Sequence, residues 1–95
     1  MFGTIGHAHI KPENRERLKE VFQRQGLDET ASGFRHGFTV FPDGKEDEVY
    51  LIGIFEDRDT YYRNADDPAQ NKRYLEYRAL LEDDPEWTDG RFEGM

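Results

Sequence analysis

Three histidines are the side chains of this chain best suited to acid–base or metal chemistry. His7 and His9 are two residues apart, a spacing that places both on one face of a strand. His36 has the same spacing from Phe34 and Phe38. Because burial among aromatic rings lowers the pKa of an imidazole, His36 is our candidate general base. The alternative is a histidine that makes hydrogen bonds at a subunit interface.

Four other residues are candidates for binding a substrate. Tyr61 and Tyr74 offer stacking surface and phenolic hydroxyls to a flat aromatic molecule such as a quinol, or they pack in the core. Asn64 could position oxygen or a carbonyl group. Arg78 could orient an anionic oxygen, or it pairs with Glu82 one helical turn later.

The residue types argue against several cofactor sites. The chain has no Cys, which excludes disulfides, thiolate zinc sites and iron–sulfur clusters. The three histidines are not expected to meet, because the sheet inferred below separates the first strand from the second. We therefore predict no metal ligand, and no phosphate-cradling glycine loop is evident.

Hydrophobic periodicity predicts the elements that must position these residues. The predicted strands are 2–10, 34–40, 49–55 and 91–94, with Asp89-Gly90 as a turn before the last. A helix of about 13 residues follows Pro12. A second helical region starts near Asp57, restarts at Pro68 and ends at Pro85, and we assign Tyr77 and Trp87 to core packing.

The order β-α-β-β-α-β predicts an α+β, ferredoxin-like fold, in which two helices cover one face of a four-stranded antiparallel sheet. The strand 49–55 reads Val-Tyr-Leu-Ile-Gly-Ile-Phe and is apolar on both faces. The helices can cover only one of these faces. A second copy of the sheet is the simplest cover for the other, which predicts a homodimer of the α+β barrel type.

Length and charge limit the remaining possibilities. Ninety-five residues make one domain, 1–95, and 13 basic against 21 acidic residues give a net charge of −8. Dispersed basic residues and negative net charge argue against nucleic acid as a partner. No apolar run is long enough for a membrane span, and the N-terminus does not read as a leader, so we expect a cytoplasmic protein.

Four stretches carry a resemblance to a known family. They are His9-Ile10-Lys11-Pro12, Ser32-Gly33-Phe34, the run from Val49 to Asp57, and the segment from Tyr61 to Gly90. The first three resemble the antibiotic biosynthesis monooxygenase family of dimeric α+β barrel proteins, and the last resembles a bacterial subgroup of that family.

The resemblance implies a pocket between helices and sheet, and a cofactor-independent monooxygenase that acts on a small aromatic or quinol-type molecule. A non-catalytic ligand-binding or structural homodimer is the alternative. The haem-degrading branch is similar in fold but uses an Asn on the first strand and a His on the second helix. This chain has Gly6 and His7 on that strand, and Asn71 but no His on that helix, so no haem is expected.

Overall fold

The structure is a computed structural model that describes residues 1–28 and 33–95. Of the stretch Ser32-Gly33-Phe34, Ser32 therefore lies outside the described residues. In chain order the elements are β1 (Phe2–His9), a 3₁₀ turn (Pro12–Asn14), α1 (Arg15–Asp28), β2 (Phe34–Val40), β3 (Glu48–Phe55), α2 (Arg58–Ala65), α3 (Pro68–Arg78) and β4 (Glu86–Arg91).

The four strands form one antiparallel sheet in the order β2-β3-β1-β4, which confirms the ferredoxin-like arrangement. In the β1–β3 pair, His7 lies opposite Tyr50 and His9 lies opposite Glu48. Because β3 separates β1 from β2, His36 stays away from both other histidines, as the sequence predicts.

Local signals start the helices where the sequence expects them. The Asp57 side chain accepts a hydrogen bond from the Thr60 backbone N–H at 2.9 Å, and the Thr60 hydroxyl accepts one from the Asp57 backbone N–H. The helix α2 therefore begins with a capping box. The Asp67 side chain caps α3 by accepting from the Ala69 backbone N–H, without a capping box, and Pro68 occupies the first turn.

The core lies between the helices and one face of the sheet. Ile10, Leu18, Leu51, Val21 and Val49 are its largest fully buried side chains. Tyr77 of α3 is also buried in this cluster, which confirms its assignment to the core.

The predicted end of the second helical region is wrong. The helix α3 ends at Arg78, well before Pro85, because the chain turns to pair with the end of β1. Leu81 forms a β-bridge with Ile10, and the Glu82 N–H donates to the His9 carbonyl at 2.8 Å. This turn brings the acidic residues that follow α3 beside β1.

The predicted boundaries of the last strand are also wrong. Asp89-Gly90 is not a turn but part of β4, where Gly90 lies opposite Gly3 and Asp89 opposite Thr4. An edge strand pairs on one side only, so turn-forming residues are tolerated there.

None of the elements within residues 1–28 and 33–95 covers the face of the sheet away from the helices, and we call it the open face. Its large apolar residues include Ile5, Phe38 and Val40, which are 36%, 51% and 41% exposed. Strand register also places His7, His9, His36, Tyr50 and Ile52 on this face. Among the described residues, none of the helices has the length and apolar character needed to cross a membrane.

Candidate functional site

A cavity of about 1000 Å³ lies between the helices and the covered face of the sheet. Aromatic side chains from α1, β3, α2, α3 and β4 form much of its wall. Those used below are Tyr61, Tyr74 and Trp87. The polar side chains that line the cavity include Asn64, Asp89, Lys19 and Arg73. A concave site with mostly apolar walls and a few placed polar groups is typical of a small-molecule pocket.

Tyr61 is fixed at one end of the cavity by other rings. Its ring centroid lies 5.4 Å from that of Phe2, 5.7 Å from that of Phe55 and 5.0 Å from that of Tyr62. Tilted and edge-to-face contacts at these distances are favourable. The ring therefore has little freedom to move, and its hydroxyl is held in place.

The Tyr61 hydroxyl donates a hydrogen bond to Asp89 Oδ1 at 2.9 Å. Burial raises the pKa of Tyr61 to about 12, and the hydrogen bond to Asp89 acts in the same direction. Tyr61 thus keeps its proton at neutral pH and acts as a donor. The Asp89 carboxylate is the acceptor at this end of the cavity.

Trp87 lies flat enough on Gly6 to leave no room for a side chain there. A Cβ added at Gly6 would lie 2.5 Å from the indole ring. The two residues are opposite each other in the β1–β4 pair. Trp87 is 42% exposed and lines the cavity, so its assignment to core packing is wrong. The indole belongs to the cavity wall.

Three of the five predicted site residues meet at the cavity. Tyr61, Tyr74 and Asn64 all line it. Arg78 lies elsewhere: its Nε donates to Asp84 Oδ1 at 2.7 Å, and Nη1 donates to the Leu81 carbonyl at 3.1 Å. The pairing with Glu82 expected for Arg78 is therefore replaced by a pairing with Asp84.

His36, the predicted base, does not line the cavity. Its exposed side chain lies on the open face and stacks on Phe38, with ring centroids 6.1 Å apart. The register of β2 is irregular between Phe34 and His36, so Phe34 instead contacts Phe55 on the covered face. An irregularity of one residue turns the preceding side chain to the other face, which strict alternation does not foresee.

Sequence reasoning missed the two β4 residues of the site, Trp87 and Asp89. Trp87 and Asp89 are two residues apart on β4 and therefore lie on the same, covered face of the sheet. This period of two is the sequence pattern from which both could have been predicted. The Asp-Gly pair was interpreted as a turn, which hid the strand.

Solved structures of known proteins share this fold. SnoaB from Streptomyces nogalater, a cofactor-independent oxygenase, matches with a TM-score of 0.78 at 16% identity, over 99% of this chain and 94% of that one. A conserved protein from Methanosarcina mazei matches with a TM-score of 0.80 at 9% identity, over 97% and 92%.

A candidate antibiotic biosynthesis monooxygenase from Chloroflexus aurantiacus matches with a TM-score of 0.75 at 14% identity, over 99% of this chain and 94% of that one. No protein family model and no curated protein sequence matches the chain. The fold expected from the resemblance, that of the antibiotic biosynthesis monooxygenases, is confirmed.

Replacing Tyr61 by Phe should change how stability depends on pH. Below pH 10 the hydroxyl is protonated in both folded and unfolded chains, so its contribution is fully present. Between pH 10 and about 12 the unfolded chain ionises first, and this contribution is lost. Thermal midpoints followed by circular dichroism should fall less steeply above pH 10 in Tyr61→Phe than in the wild type. Equal slopes would contradict the assigned environment.

Proposed function

We propose that the chain is a cytoplasmic homodimer that oxidises a small aromatic or quinol-type molecule with dioxygen, using no cofactor in the cavity. The observation that carries this proposal is the aromatic cavity of about 1000 Å³ with a hydroxyl donor and a carboxylate at one end. Support also comes from SnoaB, a cofactor-independent oxygenase of the same fold.

The walls of the cavity suit a flat aromatic substrate. The rings of Tyr74 and Trp87 supply stacking surface, and the Asn64 amide can hold a carbonyl or hydroxyl oxygen. Aromatic walls shield one side of a bound substrate from water, which helps to protect a reactive substrate anion.

The reaction needs a group that removes a proton from the substrate, and we assign this role to Asp89. Asp89 is the one carboxylate among the described residues that line the cavity. Its neighbour Tyr61 keeps its own proton and therefore cannot accept one. The role predicted for His36 requires a substrate on the open face instead, because none of the three histidines lines the cavity.

The oxidation balances with dioxygen as the sole co-reactant. The substrate anion transfers one electron to dioxygen, and the resulting radical pair combines to form a carbon–oxygen bond. Cleavage of the oxygen–oxygen bond then converts a ring CH₂ group, or its enol form, into a carbonyl. The second oxygen atom leaves as water with the two hydrogens. The protein's part is to deprotonate the substrate and hold it dry.

Oxygen uptake over a panel of hydroquinones and polycyclic phenols tests this function. The untagged, metal-stripped chain should show saturable uptake, and Asp89→Asn should lower kcat by about 100-fold or more, because general base catalysis contributes at least that much. Leu75→Ala, on an exposed side chain of α3 outside the cavity, is the matched control and should keep full uptake.

Two outcomes would contradict the assignment. Loss of uptake in His36→Ala with full uptake in Asp89→Asn would place the reaction on the open face. No uptake across the panel would exclude the oxygenase for these substrates.

The second candidate is a ligand-binding protein without turnover. The exclusion of all three histidines from the cavity favours it, since a cavity without an imidazole is less suited to proton removal near neutral pH. Trp87 is the single Trp of the chain, so its fluorescence reports ligand binding independently of turnover. Quenching of Trp87 fluorescence without oxygen uptake would identify the binding protein.

The homodimer is proposed from the open face of the sheet. Apolar side chains from β1 and β2 are left exposed there, and monomeric proteins rarely expose contiguous patches of this kind. A second copy of the same face is self-complementary under two-fold symmetry and would bury both patches.

Phe38→Asp should therefore dissociate the dimer. The substitution would place a charge in the apolar part of the interface, where it cannot be solvated. Leu75→Asp is the matched control, because Leu75 is similarly exposed, at 57% against 51% for Phe38, but lies on α3 away from the open face. Light scattering during size-exclusion chromatography should give twice the chain mass for wild type and Leu75→Asp, and the single mass for Phe38→Asp. A monomeric wild type would refute the dimer.

A further inference from the structure

The end of β1 carries a cluster of polar side chains that the proposed reaction does not use. His7, His9 and Glu48 each offer one ligand atom, and these three atoms lie within 4.8 Å of one another. All three side chains are partly buried. The cluster is on the open face, on the other side of the sheet from the cavity.

Strand geometry brings the three together. His7 and His9 are two residues apart on β1 and share a face, with ring centroids 5.4 Å apart. Glu48 begins β3 directly opposite His9, so its carboxylate reaches the same face. His7 Nε2 and Glu48 Oε1 are already 2.7 Å apart. These positions follow from backbone pairing. Because a carboxylate only accepts, His7 Nε2 carries the proton in its contact with Glu48, and a metal ion that binds through this nitrogen displaces that proton.

A fourth residue orients His9 in the way that metal-binding histidines are oriented. The ring Nδ1 of His9 lies 2.7 Å from Asp83 Oδ2, and the His9 backbone N–H donates to Asp83 Oδ1 at 2.8 Å. A carboxylate only accepts, so Nδ1 carries the proton in this contact and Nε2 keeps its lone pair. A carboxylate behind an imidazole is the usual outer partner of a histidine ligand.

The charges around the cluster favour a cation. The carboxylates of Glu48 and Asp83 lie within hydrogen-bonding distance of the two imidazoles, and the Lys45 ammonium is 4.0 Å from the other Glu48 oxygen. Two imidazole nitrogens and one carboxylate oxygen form a donor set for borderline transition metals, whereas Mg²⁺ and Ca²⁺ prefer sets made of oxygen. In the single chain, partial exposure leaves room for water to complete the coordination, whereas in the proposed homodimer these positions face the second copy.

We propose that His7, His9 and Glu48 bind one divalent transition metal ion of the Zn²⁺ type per chain, with Asp83 orienting His9. This proposal replaces the expectation from the sequence that the chain has no metal ligand. The expectation was based on the three histidines alone, and His36 does lie two strands away from His7 and His9. The third ligand is a carboxylate, which the turn into β3 supplies.

Calorimetric titration of the untagged, metal-stripped chain with Zn²⁺ tests the site. Wild type should bind one ion per chain, and His9→Ala and Glu48→Gln should abolish this binding. Asp83→Asn should weaken it by about 10- to 100-fold, the usual effect of removing an outer partner. His36→Ala and Glu46→Gln are matched controls for a histidine and a carboxylate outside the cluster, and should bind as the wild type does.

Two further readouts separate ligation from folding. Zn²⁺ should raise the thermal midpoint of the wild type and leave that of Glu48→Gln unchanged, since only binding to the folded chain stabilises it. Co²⁺ should give a visible absorption band in the wild type that His7→Ala removes. Failure of the wild type to bind Zn²⁺, or equal affinity in Glu48→Gln and wild type, would overturn the proposal. A loss in His36→Ala as large as in His9→Ala would overturn it as well.

Discussion

A single layer of helices can cover only one face of a four-stranded sheet, and this constraint shapes the rest of the molecule. The core residues Leu18 and Tyr77 pack against the covered face, where Leu51 is buried. On the other face of the same sheet, Ile5 and Phe38 are exposed to solvent. Each strand therefore serves two environments, and the two candidate sites lie on opposite sides of one sheet. The cavity lies between the helices and the covered face, and the cluster of His7, His9 and Glu48 lies on the open face.

Contacts of the edge strand β4 fix side chains of the cavity wall. Trp87 packs on Gly6, a position where no side chain fits, and the Tyr61 hydroxyl is tied to Asp89 of the same edge strand. The edge strand β4 thus contributes more to the cavity than its short length suggests. Polar and aromatic groups meet there at fixed positions, which is what binding of a flat, partly polar molecule requires.

Much of the fold could be predicted from the sequence, because hydrophobic period and helix caps act locally. The strand order followed from the β-α-β-β-α-β pattern, and the pairing of His7 with His9 on one face followed from a period of two. The placement of His36 could not be predicted in the same way. A register irregularity before it sends Phe34 to the covered face and leaves His36 on the open face. Asp89 was hidden because Asp-Gly favours turns, and pairing along the whole edge of β1 overrides that preference.

The central claim is that the cavity on the covered face, and not the open face, holds an aromatic ligand. A crystal structure of the chain grown with a polycyclic hydroquinone tests it most directly. The account predicts a ring stacked against Trp87, with an oxygen within hydrogen-bonding distance of Tyr61, Asn64 or Asp89. A ring found on the open face beside His36 and Val40, with the cavity filled by side chains, would contradict it.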